Sequence, residues 1–174
     1  MSLLVRSLLP DDDRSAFRSG NLDLDRFFVR YAGQNQFRHH VGVTYVAVED
    51  NLGVVGFVTV TPSEVSSDVL PASVQRGLPS YPLPVLRLAR LAVDSRIQKG
   101  GVGVALVRYV FGLALRMSNE LGCIGVAVDA KAEAVGFYER LGFFALEVEA
   151  GEVGDRPMPT AMFLPLSRIP SLQE

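Results

Sequence analysis

The chain has 174 residues, 48% of them hydrophobic and 21% charged, with a formal net charge of −2. That length fits a single domain over residues 1–174 with room for a sizeable core. The slight acidity excludes a global attraction to nucleic acid or anionic lipid, and a lone cysteine, Cys123, excludes a disulfide framework and a cysteine-built metal site.

The opening MSLLVRSLLP is interrupted by Arg6 and followed by Asp11, Asp12 and Asp13, which is wrong for a signal peptide. No apolar run is long enough to span a bilayer. A soluble cytoplasmic protein with no membrane attachment is expected. Residues 2–9 read as a strand, and DDDRSAF and NLDLDRFFVRYA as helical. Asn21 is a plausible cap, with Leu24, Phe27, Phe28 and Tyr31 on one face. QNQFRHHVG is polar and loop-like. TYVAVE and VVGFVTV, joined by DNLG, form a hairpin.

Residues 61–84 hold Pro62, Pro71, Pro79, Pro82 and Pro84, a long connection in which LPASVQRG suits a helical turn. VLRLARLAV reads as a central strand because it is apolar and unbroken. Val102 to Leu121 reads as a long helix with Leu106, Val110, Leu113, Met117 and Leu121 as its buried stripe. CIGVAVD is a buried strand and KAEAVGFYERLG a shorter helix stopped by Gly142. FFALEVE and TAMFLPL are the last strands. The order β-α-α-β-β-β-α-β-α-β-β combines hairpins with a crossover helix, giving a mixed sheet.

The segment RIQKGGVGVAL lies between the central strand and the long helix. It lacks the GxxxxGK[ST] spacing, and Leu106 takes the third glycine position of G-x-G-x-x-G. Nucleoside-triphosphate and nicotinamide enzymes are therefore disfavoured. What remains is Gln98-x-x-Gly101-x-Gly103 opening a helix. Glycines let backbone N–H groups converge, and the helix start adds unpaired donors and partial positive charge. Such a loop either cradles a diphosphate, with Lys99 at its rim, or is simply a tight turn.

Gln98, Gly101 and Gly103, preceded by RLAVDS and followed by AVGFYERLGF, resemble the GCN5-related N-acetyltransferases (GNAT). DRSAFRSGNLDLDRFFVRYAGQNQ, TYVAVEDNLGVVGF, LPVLRLARLAVD and MFLPLSRI are similar to one branch, the acetyltransferase toxins of bacterial type II toxin–antitoxin modules. The likeness covers nearly the whole chain. It implies an α/β GNAT fold: a mixed, mostly antiparallel central sheet of about seven strands, helices on both faces and splayed central strands. It implies acetyl-CoA as co-substrate, no metal, aminoacyl-tRNA as acceptor, a small ribbon-helix-helix antitoxin as partner, and a homodimer. By the same resemblance Leu91, Ala92 and Val93 bind the pantetheine arm, and Gln98, Lys99, Gly100, Gly101, Val102, Gly103 and Val104 bind the pyrophosphate. Lys131 stands where the family commonly carries an asparagine that contacts that arm.

Acetyl transfer needs a neutral amine, donors for the carbonyl oxygen and a proton for the departing thiolate. Tyr138 stands where the family carries its helix tyrosine, and a phenol with a pKa of about 10 is protonated at neutral pH. No general base is evident; Glu49, Glu64 and Asp94 are carboxylates near strands or loops. An α-amino group titrates at about 7.7–8.0, so a large fraction of it is neutral at cellular pH, whereas a lysine amine at about 10.4 needs a base more. Arg30, Arg38, His39, His40, Arg76, Arg87 and Arg90 are candidates for a basic surface toward tRNA. The alternative readings are an N-acetyltransferase of a small amine or a protein amine, and a module that binds coenzyme A or a partner without turnover.

Overall fold

The computed structural model describes residues 2–147 and 158–169. Contacts gather the chain into two compact units, Met1–Thr61 with Leu88–Val110, and Pro62–Arg87 with Phe111–Glu174. The β-rich runs form a seven-stranded sheet in the order β1 (Leu3–Ser7), β2 (Val43–Glu49), β3 (Gly53–Val65), β4 (Leu83–Val93), β5 (Gly125–Ala130), β7 (Thr160–Pro165), β6 (Phe144–Ala145). The fold is mixed α/β, and the strand pairs β1–β2, β2–β3, β5–β7 and β6–β7 are all antiparallel.

In the first unit β1 (Leu3–Ser7) pairs with β2 (Val43–Glu49). The Asp/Asn/Gly turn returns β2 into β3 (Gly53–Val65), as the hairpin pattern predicts. A register shift falls between Ala47 and Val48, where β3 carries one extra residue, Val55, against β2. Thr44 and Thr59 pair across the ladder, and their buried hydroxyls satisfy each other at 2.7 Å.

Asn21 caps α1 (Leu22–Arg26), its side chain accepting from the Leu24 N–H. The chain then runs without a break through a π-helical turn (Phe27–Tyr31), α2 (Ala32–Gln34) and a second π-helical turn (Asn35–His39). The polar QNQFRH is thus helical to its end rather than a loop. Gln36 explains its position: its amide accepts from Thr44 N–H and donates to Ser7 Oγ and Leu8 O, replacing apolar packing with hydrogen bonds. His40, at φ 55°, ends the stretch. The π turns also rotate the buried face, so Ala32 is buried and Tyr31 is 43% exposed, against the predicted pattern.

DDDRSAF is not helical. The Asp12 carboxylate takes the Leu9 N–H and the Arg6 guanidinium, and Asp13 takes the N–H and hydroxyl of Ser15. Short acidic side chains compete with the helix for these donors and win. The core of this unit is Leu8, Phe17, Phe27, Phe28, Ala32, Val46, Phe57 and Ala92, with Phe28 stacked on Phe57 at 4.2 Å between centroids.

β4 (Leu83–Val93) and α4 (Val102–Glu120) contribute residues to both units. The buried residues of α4 are Val102, Leu106, Val107, Val110, Phe111 and Ala114. Leu113 and Met117 are only half-buried and Leu121, past the helix end, is 83% exposed, so the predicted stripe holds only in its first half.

In the second unit the proline-rich connection contains the short α3 (Ala72–Gln75), the expected helical turn. β5 (Gly125–Ala130) pairs with β7 (Thr160–Pro165), with α5 (Val135–Arg140) and the two-residue β6 (Phe144–Ala145) between them in sequence. The predicted strand FFALEVE is realised only at its start, and its Val148 and Glu149 lie outside the described residues. Val65, Leu70, Leu83, Val85, Ala127 and Phe163 form the core here.

Candidate functional site

The glycine loop begins where β4 ends. The Asp94 N–H donates to Val55 O at 2.8 Å, a bond to β3. Asp94 is 1% exposed. Its carboxylate accepts from the Arg96 N–H at 3.0 Å, from Arg96 Nε and Nη2 at 2.9 and 3.1 Å, and from the Arg18 N–H at 3.4 Å. Burial pushes this carboxyl up, but the Arg96 and Arg18 donors outweigh it and hold the group below the usual carboxylate range. Asp94 is therefore an anchor, capping the 3-10 turn Ser95–Ile97, and no longer a candidate base.

The loop is clamped a second time. The Ser95 N–H donates to Arg18 O at 2.8 Å. Gln98 Nε2 donates to Ser19 O at 2.9 Å and to Val93 O at 3.2 Å. Ser19 is in turn held by the Asp25 carboxylate of α1, which accepts its N–H and, at 2.6 Å, its hydroxyl. Gln98 thus shapes the loop from behind with its amide nitrogen.

Two residues then turn the chain through the left-handed region, Lys99 at φ 70° and Gly101 at φ 83°. A left-handed lysine is locally strained by about 1–3 kcal/mol. A Cβ on Gly101 would meet nothing within 4 Å, so the space above it is open. The Ala105 N–H donates to Gly101 O at 3.0 Å, which makes Gly101 the residue before the first helical turn of α4. The N–H groups of Val102, Gly103 and Val104 consequently lack i→i−4 partners, and no acidic residue stands in that turn. The exposed Lys99, Gly100 and Gly101 border them. A diphosphate fits this arrangement: open space, free donors, a helix start and one lysine.

Gly56 sets the height of the helix start. A Cβ there would lie 2.8 Å from Val102 Cγ1, 3.0 Å from Leu106 Cδ1 and 3.3 Å from Ala92 O. The missing side chain lets α4 sit directly on β3. Leading into the loop, β4 is the fourth of seven strands, yet Ala89 and Arg90 are exposed and Leu91 and Val93 only half-buried around a buried Ala92.

Tyr138 lies on α5 and is 4% exposed. The Gly142 N–H donates to Glu139 O at 3.0 Å and the Phe143 N–H to Tyr138 O at 3.1 Å. With Gly142 at φ 101°, these two bonds make a Schellman cap, so the predicted helix stop is present. Tyr138 packs on Phe143, ring centroids 5.3 Å apart and planes at 69°. Burial pushes its phenol far above the ordinary value. Its hydroxyl has no hydrogen-bond partner among the described residues, and no buried side-chain nitrogen or oxygen there lacks one. The Tyr138 oxygen therefore keeps some access to solvent.

Other candidates resolve differently. The Glu49 carboxylate accepts from the N–H groups of Asn51 and Leu52 and so closes the hairpin turn. Arg87 pairs with Asp129 at 3.0 Å and bonds Ser63 Oγ, which takes it out of the basic set. Arg90 lies over the Phe27 ring at 3.9 Å. Arg30, Arg38, His39, His40 and Arg76 are exposed, as are Lys131 and Glu64. Sequence reasoning missed Asp94, Ser19, Arg18 and Gly56 as supports of the loop. Only Asp94 carried a signal, an aspartate directly after a strand and before a turn, the pattern of a side-chain cap. Among the described residues no group of three or more His, Cys, Asp or Glu could hold a metal, and no helix is long and apolar enough to cross a membrane.

The mixed sheet and the glycine loop opening a helix agree with the GNAT class of acetyltransferases that the sequence resembles. The acetyltransferase (GNAT) domain model matches residues 40–144, more than half of the chain, and the chain belongs to that family. It is 33% identical over 141 residues to a tRNA-acetylating toxin of Mycobacterium tuberculosis, covering 79% of this chain and 82% of that protein. Its structure is similar to that of AtaT complexed with acetyl-methionyl-tRNAfMet, with a TM-score of 0.85, 26% identity and 97% of each chain covered. It is also similar to AtaTR bound with AcCoA, with a TM-score of 0.77, 27% identity, and 96% and 95% of the two chains covered.

Proposed function

We propose that this chain transfers the acetyl group of acetyl-CoA to the α-amino group of an aminoacyl-tRNA, as a toxin-like enzyme of the cytoplasm. The observation that carries this reading is the likeness over nearly the whole chain to AtaT in complex with acetyl-methionyl-tRNAfMet, supported by 33% identity to a tRNA-acetylating toxin. AtaTR bound with AcCoA supports the donor, and the open donor-rich loop from Gln98 to Val104 suits its pyrophosphate. A ribbon-helix-helix antitoxin and a homodimer belong to the same proposal.

Each part of the chain has a task in this reading. The N–H groups of Val102, Gly103 and Val104 bind the pyrophosphate, with Lys99 adding charge at the rim. Main-chain groups of Leu91, Ala92 and Val93 hold the pantetheine arm where β4 is open. Exposed Ala89 and Arg90 on an inner strand support a local opening of the sheet. When bound, acetyl-CoA supplies an acyl group activated for attack by a neutral amine. Tyr138 Oη holds the proton that the departing sulfur takes. Its raised pKa keeps the phenol protonated at all physiological pH values. A dedicated base is less needed for this acceptor than for a lysine amine, because an α-amino group is about half neutral near pH 8.

Purified protein, acetyl-CoA and a set of charged tRNAs test the proposal. Acetylated aminoacyl-tRNA should form. Acetylation of a free amine or a protein lysine with no reaction on any charged tRNA would move the acceptor to the alternative class, and coenzyme A binding without turnover would leave only a binding module.

A further inference from the structure

Asp25 of α1 is buried, and none of the ion pairs among the described residues, Arg6–Asp12, Arg87–Asp129 and Arg96–Asp94, includes it. A carboxylate buried without a cation is costly unless hydrogen bonds hold it. Among the described residues every bond of this side chain goes to Ser19. The Ser19 N–H lies 3.0 and 3.1 Å from the two carboxylate oxygens, and the Ser19 hydroxyl donates at 2.6 Å. α1 does not need Asp25 as a cap, because Asn21 fills that role.

Ser19 stands at a reversal of the chain. Gly20 follows at φ 94°, and the Asn21 N–H donates to Ser19 Oγ at 3.2 Å. The N–H and hydroxyl of Ser19 are thus spent on the start of α1. Its carbonyl is left for the glycine loop, where it accepts from Gln98 Nε2 at 2.9 Å. Arg18, one residue earlier, accepts the Ser95 N–H and donates its own N–H to Asp94. Arg18 and Ser19 together seat residues 94–98, and Asp25 fixes that seat.

We infer that Asp25 is a positioning residue for the acetyl donor, acting through Ser19 and the Gln98 amide on the loop that takes the pyrophosphate. The inference rests on the pyrophosphate site proposed above and is independent of the acceptor. Backbone donors bind a diphosphate strongly only when they are held aimed at it before it arrives. Here the aim depends on Lys99 and Gly101, both in the left-handed region, and Gln98 fixes the chain just before them. Asp25 bonds none of these residues. It removes the freedom of the carbonyl on which Gln98 hangs.

The experiment is a double-mutant cycle read by calorimetry of acetyl-CoA binding to the full-length protein. Asp25→Ala should weaken binding about ten-fold, within the range for residues in one hydrogen-bond network. Gln98→Glu, which replaces the amide donor with an acceptor, should weaken it as much or more. With Gln98→Glu already present, Asp25→Ala should cost no more than about two-fold, because the link through the amide is gone. A residue that only supports the fold would cost the same in both backgrounds. Asp25→Asn keeps Oδ1 as an acceptor for the Ser19 N–H and hydroxyl, and should lose no more than about three-fold. If Asp25→Ala does not fold, Ser19→Ala, which deletes only the hydroxyl bond, replaces it in the cycle with an expected loss of about three-fold. Unchanged affinity in Asp25→Ala, the same loss in both backgrounds, or an Asn variant as weak as the Ala variant would each overturn the assignment. Gly101→Ala separates the two readings: if it weakens acetyl-CoA binding while Asp25→Ala does not, the pyrophosphate site stands and only the role of Asp25 falls. If neither changes binding, the pyrophosphate site falls as well.

Discussion

The carbonyl of Tyr138 accepts the N–H of Phe143 at 3.1 Å, and the two rings meet edge to face at 5.3 Å. One residue pair thus ends α5 and fixes the ring of the proposed proton donor. The cap's hydrogen bond holds the backbone of Tyr138 and its hydrophobic contact holds the ring, so both act on the same residue.

Tyr138→Phe should therefore separate chemistry from structure. The ring contacts persist, so stability should change by no more than about 0.5 kcal/mol. Acetylation should fall by about two to four orders of magnitude, the usual contribution of a positioned proton donor, with acetyl-CoA affinity unchanged. Tyr138→Ala should instead cost about 3–5 kcal/mol by emptying a buried site. Single-turnover kinetics with thermal melts distinguish the two, and full activity in Tyr138→Phe would remove the tyrosine from the mechanism.

Gly101→Ala tests the loop through its backbone. There is room for the methyl group, so any loss comes from φ 83°. A left-handed alanine costs about 1–2 kcal/mol. The loop should relax away from the donor-rich geometry, and acetyl-CoA affinity, measured by calorimetry, should drop at least as much as stability does.

Gly56→Ala acts on the same loop from the sheet below. Its methyl group would stand 2.8 Å from Val102 and 3.0 Å from Leu106 and push the start of α4 outward. Overpacking of this kind costs about 1–3 kcal/mol. A lowered melting temperature together with weaker acetyl-CoA binding is expected, while Gly53→Ala, at the open hairpin turn, should leave acetyl-CoA binding intact.

Asp94 predicts an acid limb. Its folded pKa lies below the ordinary aspartate value of about 3.9, so its stabilisation is complete above that value and is lost as pH falls through the lower folded value. Asp94→Asn should cost about 1–3 kcal/mol at neutral pH, since the Arg96 and Arg18 donors lose their charged acceptor. Denaturant melts between pH 7 and pH 3 should show the variant's stability declining less steeply at the acid end. Parallel curves would mean that Asp94 is not the titrating anchor.

Much of the site was legible because it depends on local rules. Gln98, Gly101 and Gly103 announce a turn into a helix, and Gly142 announces a helix stop; the turn is present with Gly101 at φ 83°, and so is the stop with Gly142 at φ 101°. The hairpin follows from alternation around DNLG. The helical run through Asn35–His39 was not legible, because Gln36 is held by hydrogen bonds from β1 and β2 rather than by an apolar stripe. Leu121 and Tyr31 look like core residues by periodicity, but the helix ends before one and a π turn rotates the other outward.

The sequence by itself determined the order of the strands, the long helix after the glycine loop and the family, since each is written in short-range spacing and backbone permission. Tertiary structure alone decided which charges are spent and which are available. Asp94 and Arg87 are consumed by partners two to seventy-six positions away, while Arg18, Arg26 and Arg30 stay unpaired around one groove. The physical reason is that a charge's role is set by what lies within a few ångströms of it, and the chain's own spacing carries that distance only for neighbours.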